Sequence, residues 1–155
     1  MQESELFLSA KKVVEECRGV RQTLAALPPN VEVEIILDGR MPCTLAYKDE
    51  SVVFEARESA AADLSYTVFP ECIRILSSNS PDTMLALTQE ITSQLITGHM
   101  RFKLKTNWRA LFDKGYHRSF EKMGPELQAH FSKYAFLLMS QASTTLDKIK
   151  NILRS

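Results

Sequence analysis

The sequence predicts an α+β fold: a five-stranded, mainly antiparallel sheet covered by helices, with an extra C-terminal helix. Three patterns predict it. Apolar residues recur at spacings of three and four near both ends of the chain, period-two alternation marks three short runs between turns within residues 31–57, and residues 63–120 read strand, helices, strand, helix.

Leu6, Ala10, Val13, Cys17, Val20, Leu24 and Leu27 fall on one stripe of a helix over residues 4–27, which Pro28 and Pro29 stop. Such a stripe suits packing on the protein's own sheet, and also a helix-helix contact between chains. In the run 31–37, Val31, Val33, Ile35 and Leu37 face one way and Glu32, Glu34 and Ile36 the other. Asp38-Gly39 is a hairpin turn, residues 41–48 return with Leu45 and Tyr47 alternating, and Asp49-Glu50-Ser51 turns again. Residues 52–57 complete an antiparallel meander, because loops this short cannot connect parallel neighbours.

After an Ala-rich connection over 58–62, Leu64, Tyr66 and Val68 alternate with Ser65, Thr67 and Phe69 in a fourth strand. Pro70 suits the first position of a short helix over 71–77, and Ser78-Asn79-Ser80 breaks it. Ser80 is expected to cap the next helix with Pro81 at its first position, placing Met84, Leu87, Ile91 and Leu95 on one side. Gly98 ends that helix, and Met100, Phe102 and Leu104 point inward from the fifth strand while Arg101, Lys103 and Lys105 point outward. A helix opening at Asn107-Trp108 then carries an aromatic face of Trp108, Leu111, Phe112, Tyr116 and Phe120, weakened by Gly115.

Gly124-Pro125 divides the chain into a domain over 1–124 and a C-terminal amphipathic helix over 125–155. Its stripe of Leu127, Phe131, Tyr134, Leu138, Ala142, Leu146 and Ile149 requires cover. The domain itself, a second copy in a homodimer, or a protein partner would supply it.

With 155 residues, 45% of them hydrophobic, the chain suits one core. Equal numbers of basic and acidic residues, 19 each, leave no overall field to attract nucleic acid, so no nucleic-acid partner is expected. A local basic concentration at Arg101, Lys103, Lys105, Arg109, Lys114 and Arg118 suits either transient contact with an anionic membrane or a charged edge strand that resists aggregation. Three widely spaced cysteines, Cys17, Cys43 and Cys72, are expected to be small core residues in a reducing compartment. The start of the chain lacks a secretory pattern, and the longest uncharged stretch, 134–146, is too short and polar to span a bilayer; a cytoplasmic location is expected.

Catalytic chemistry finds little support. Asp113 and His117 stand four apart, but neither His99 nor His130 is linked to them by a known spacing. No nucleophile elbow, phosphate loop or zinc-binding helix motif occurs, so neither catalytic residues, metal nor cofactor are assigned.

Two segments carry a family resemblance: Ala62-Asp63-Leu64-Ser65-Tyr66-Thr67-Val68 before a helix, and Gly98-His99-Met100-Arg101-Phe102-Lys103-Leu104 after one. Across residues 31–120 the chain resembles the sterol carrier protein type 2 domain. It departs from that pattern at Thr106-Asn107, where the family often has a second glycine, and residues beyond 125 lie outside the match. The resemblance implies a helix-covered five-stranded sheet with an apolar tunnel for fatty acyl chains, sterols or isoprenoids. Related bacterial domains hold lipid intermediates, including quinone precursors, for other enzymes.

The expected function is therefore non-enzymatic binding, carriage or presentation of an apolar lipid between sheet and helices. The residues expected to line the site are Phe54, Tyr66, Val68, Ile73, Leu76, Met84, Leu87, Ile91, Leu95, Phe102, Leu104, Trp108, Leu111 and Phe112, with Tyr66 and Trp108 offering a polar contact at the mouth. The rival expectation is a structural or regulatory homodimer with a filled core.

Overall fold

The computed structural model describes residues 3–121, 124–126, 128–130 and 133. Its elements are α1 (Glu3–Glu16), α2 (Arg18–Ala26), β1 (Glu32–Leu37), β2 (Met41–Lys48), β3 (Ser51–Glu55), β4 (Leu64–Val68), α3 (Pro70–Asn79), α4 (Met84–Thr97), β5 (Met100–Leu104), α5 (Trp108–Asp113) and α6 (Tyr116–Glu121). One sheet has the order β3-β2-β1-β4-β5. Its central β1–β4 pair is parallel and the other three pairs are antiparallel.

Register divides the sheet into two chemically distinct faces. Ile35 stands opposite Cys43 and Tyr66, Leu37 opposite Met41 and Val68, Leu45 opposite Phe54, and Tyr66 opposite Phe102. Period-two alternation puts these on one face, which packs in one core with Leu6 and Ala10 of α1, Val20 and Leu24 of α2, Cys72 and Ile73 of α3, and Leu87 and Leu95 of α4. The other face carries Glu32, Glu34, Thr44, Ser65, Thr67, Arg101 and Lys103. A one-residue slip would turn those carboxylates into the core, so burial itself fixes the register.

The polar face holds the crossover. Since β3 and β4 flank β2 and β1, residues 56–63 must cross both strands. Glu55 pairs with Thr44, Thr44 with Glu34, and Val33 with Leu64, so the crossover begins and ends at nearly one height. The Thr44 hydroxyl donates to the Arg57 carbonyl at 3.0 Å, and the Ser59 hydroxyl donates to Glu32 at 2.7 Å. Arg57 also donates to Glu32 at 2.6 Å and to Glu55 at 3.0 Å.

Three helical expectations need correction. The helix expected over 4–27 breaks at Cys17, whose extended backbone (φ −80°, ψ 111°) separates α1 from α2. Tertiary contacts explain the break: the Cys17 thiol and the Gly19 amide both donate to the Pro81 carbonyl, at 3.1 and 3.0 Å. A Cβ on Gly19 would lie 2.7 Å from the Thr83 carbonyl oxygen, so only glycine lets α2 press this close.

Ser80 and Pro81 do not open α4. Ser80 is left-handed (φ 40°) and ends α3, while the Thr83 side chain caps α4 by accepting from the Ala86 amide at 3.0 Å. The aromatic helix is likewise divided, because Gly115 (φ 91°) separates α5 from α6. Pro125 lies in helix, as expected, but Leu127, Phe131, Tyr134, Leu138, Ala142, Leu146 and Ile149, and the side chain of Phe120, lie outside the described residues.

Candidate functional site

Nine of the fourteen residues expected at an apolar site meet in the core. Phe54, Val68, Ile73, Leu87 and Leu95 are buried in it, and Tyr66, Leu76, Ile91 and Phe102 pack against it while keeping part of their surface open. Tyr66 and Phe102 form a tilted ring pair, 5.2 Å between centroids, and Phe7 stacks on Phe54 at 5.3 Å. Burial pushes the Tyr66 hydroxyl up to about 12.

The other five stand apart from that core. Met84 and Leu104 are half-buried beyond it, and Leu111 is buried outside it. Trp108 and Phe112 are 55% and 60% exposed, so they do not line an interior as expected. The reason is the length of α5: it turns Leu111 inward, and Gly115 ends the helical run before a longer aromatic face can form.

A cleft of about 540 Å³ opens at the end of the sheet where α2 meets the β2–β3 turn. Leu24, Ala25, Leu27, Pro28, Pro29, Asn30, Val31, Tyr47, Lys48 and Asp49 line it, and none of the fourteen expected residues does. Its construction is local: Pro28-Pro29 halts α2, and left-handed Asn30 (φ 64°) and Asp49 (φ 51°) turn the backbone around the opening. Leu24 belongs to the core, while Leu27, Val31 and Tyr47 pack against it. The cleft is therefore half-open and of mixed polarity: Leu24, Leu27, Val31 and Tyr47 join it to the core, and Asn30, Lys48 and Asp49 add polar surface at the rim. A smaller hollow of about 210 Å³ between Glu15, Arg21, Glu50, Ser51 and Val52 is mainly polar.

Two ionic contacts fix the far side of the sheet. Lys105 donates to Glu34 at 2.8 Å, and the Ser65 hydroxyl donates to the same carboxylate at 2.7 Å. Burial alone would raise Glu34, but these bonds and the charges of Lys105 and Lys103 outweigh it and hold the carboxyl below its ordinary value. Nearly buried Asp63 accepts from Lys114 at 2.6 Å and from the Tyr116 hydroxyl at 3.2 Å, clasping the α5–α6 junction to the start of β4. Burial, then the Asp63 charge, pushes the Tyr116 hydroxyl up.

The remaining reactive groups are not gathered for catalysis among the described residues. Asp113 ends α5 and His117 lies in α6, so the pair no longer shares a helix; the His117 ring instead stacks on Phe112 with centroids 4.0 Å apart. His99 bonds Gln94 and Thr97, and His130 bonds Thr92. All three cysteines are buried and free. Burial pushes the Cys43 thiol up to about 11, and burial followed by the Glu90 charge pushes Cys72 up to about 12, opposite to what a nucleophile requires. No group of three or more His, Cys, Asp or Glu side chains among the described residues is placed to hold a metal.

Neither a protein-family model nor a curated protein matches the chain. Among solved structures, the chain is similar to a "UbiJ-SCP2 Ubiquinone synthesis protein" at 10% identity and a TM-score of 0.42, over 72% of this chain and 89% of that one. It is also similar to the stereoselective inverting sec-alkylsulfatase Pisa1 from Pseudomonas sp. at 10% identity and a TM-score of 0.34, over 63% of this chain and 14% of that one.

Proposed function

We propose that the protein binds and presents an apolar molecule of the fatty acyl, sterol-like or isoprenoid class, without catalysing a reaction on it. The observation that carries this reading is the continuity of cleft and core: Leu24, Leu27, Val31 and Tyr47 wall the opening and pack in one apolar body with Phe54, Tyr66, Ile91 and Phe102. The volume of the cleft falls within the range of about 300–1,000 Å³ common to small-molecule sites. A guest in the cleft would set its apolar part against Leu24, Leu27, Val31 and Tyr47 and keep a polar end at Lys48, Asp49 or Asn30.

The energetics require no reactive group. Each buried methylene contributes about 0.8 kcal/mol, so eight supply about 6 kcal/mol before association costs of comparable size. Tyr66, Leu76, Ile91 and Phe102 are the interior surfaces proposed to move aside for a longer chain, because they join the core without being fully enclosed.

Displacement of a fluorescent fatty acid by acyl, sterol and isoprenoid competitors tests this function. Saturable binding is expected, weakened at least about tenfold by Val31→Arg, which sets a charge in the apolar wall. A protein with an unchanged urea midpoint that binds neither probe nor competitor would end the reading.

A further inference from the structure

We propose that the surface around α5 docks the protein on an anionic lipid bilayer. Trp108 and Phe112 stand four apart on this helix, so they share one side, and both are more than half exposed. Their exposure is built in. The Asn107 side chain caps α5 by accepting from the Ala110 amide at 2.8 Å, Leu111 is buried, and the bonds from Lys114 and Tyr116 to Asp63 fix the following turn. The two aromatic side chains, both more than half open, thus stand on an anchored platform, with the Phe112 ring stacked on His117.

The charge around that platform selects the partner. Residues 100–119 contain six Lys and Arg against the single acidic Asp113. Lys105 and Lys114 are engaged by Glu34 and Asp63, and Arg101 lies over the Phe69 ring, 5.3 Å from its centroid; Lys103 before α5, Arg109 within it and Arg118 after it are exposed cations of the same stretch of chain. Tryptophan settles at headgroup depth, and neighbouring Lys and Arg are drawn to anionic lipids. The proposed contact is one of surface attachment; among the described residues no helix is long and apolar enough to cross a membrane. This surface involves none of the residues lining the cleft, and attachment does not depend on a bound guest.

Trp108 is the only tryptophan, so intrinsic fluorescence reads the proposed contact directly. The full chain is titrated with vesicles of phosphatidylcholine alone, or mixed in equal parts with phosphatidylglycerol. A blue shift and co-sedimentation with the mixed vesicles are expected, both reversed at about 1 M salt, where the screening length falls to about 3 Å. Arg109→Gln and Arg118→Gln should each weaken binding about fivefold. Phe112→Ser should weaken it further while leaving the far-ultraviolet circular dichroism and displacement of the fluorescent fatty acid unchanged. Absence of both shift and co-sedimentation, or equal binding to the two vesicle types, would overturn the proposal. So would light scattering that finds a dimer dissociated by Phe112→Ser, since the pair would then face a second copy.

Discussion

Lys105, the residue that follows β5, reaches across β4 to bring its ammonium within 2.8 Å of the Glu34 carboxylate on β1. The contact ties three strands together on the polar face, with Ser65 of the intervening strand donating to the other carboxylate oxygen. Glu34→Ala leaves both donors without this acceptor and is expected to lower stability by about 1–3 kcal/mol. Urea denaturation should show an earlier midpoint with an unchanged slope.

Acid should release the same face. Hydrogen bonds from Arg57 and then Ser59 hold Glu32 below its ordinary value, and Glu34 is depressed despite its burial. The unfolded chain then binds more protons than the folded one, so stability rises with pH. The contribution of the two carboxylates is fully present above the ordinary glutamate value of about 4.3 and is lost as pH falls through their lower folded values. Urea midpoints measured from about pH 6 down to about pH 3, a range that brackets the ordinary glutamate value, should fall less steeply in the Glu34→Ala chain than in the parent.

Gly19 and Gly124 should differ sharply in their tolerance of alanine. At Gly19 the added Cβ meets two carbonyl oxygens at 2.7 and 2.8 Å, whereas at Gly124 it meets nothing within 4 Å. Gly19→Ala is expected to cost about 1–3 kcal/mol by forcing α2 away from the 81–83 segment. Gly124→Ala should stay within about 0.5 kcal/mol of the parent. Thermal unfolding of the two variants checks the contrast.

Asp63→Asn should loosen the clasp on α5 and α6. With the negative charge removed, Tyr116 should titrate at a lower pH than in the parent, though still above the ordinary tyrosine value of about 10, because burial is the larger cause of its shift. Ultraviolet difference titration follows this phenol. An unchanged Tyr116 titration would contradict the contact at Asp63.

The sheet was legible because its signals are local. Alternation through Val31, Val33, Ile35 and Leu37, and the Asp38-Gly39 turn, specify the β1–β2 hairpin, and Gly98 (φ 83°) ends α4 where its lack of a Cβ suggests. The helical breaks were less legible because distant partners decide them. Nothing in the stripe from Leu6 to Leu27 announces that Pro81 will take hydrogen bonds from Cys17 and Gly19. At the candidate site, periodicity selected core positions such as Phe54 and Leu87, but could not tell a buried apolar side chain from an exposed one at Trp108 and Phe112. The cleft arises from loop geometry around Asn30 and Asp49, both non-glycine residues in left-handed backbone, and only the Pro28-Pro29 stop hinted at it.

Native mass spectrometry of the protein purified without detergent, followed by solvent extraction, tests most directly whether the apolar interior admits a guest. The predicted result is a near-stoichiometric mass increment that solvent extraction recovers as an apolar molecule, and that is diminished in Val31→Arg. A bare polypeptide mass, retained after incubation with excess fatty acid, sterol and isoprenoid alcohol, would contradict the account.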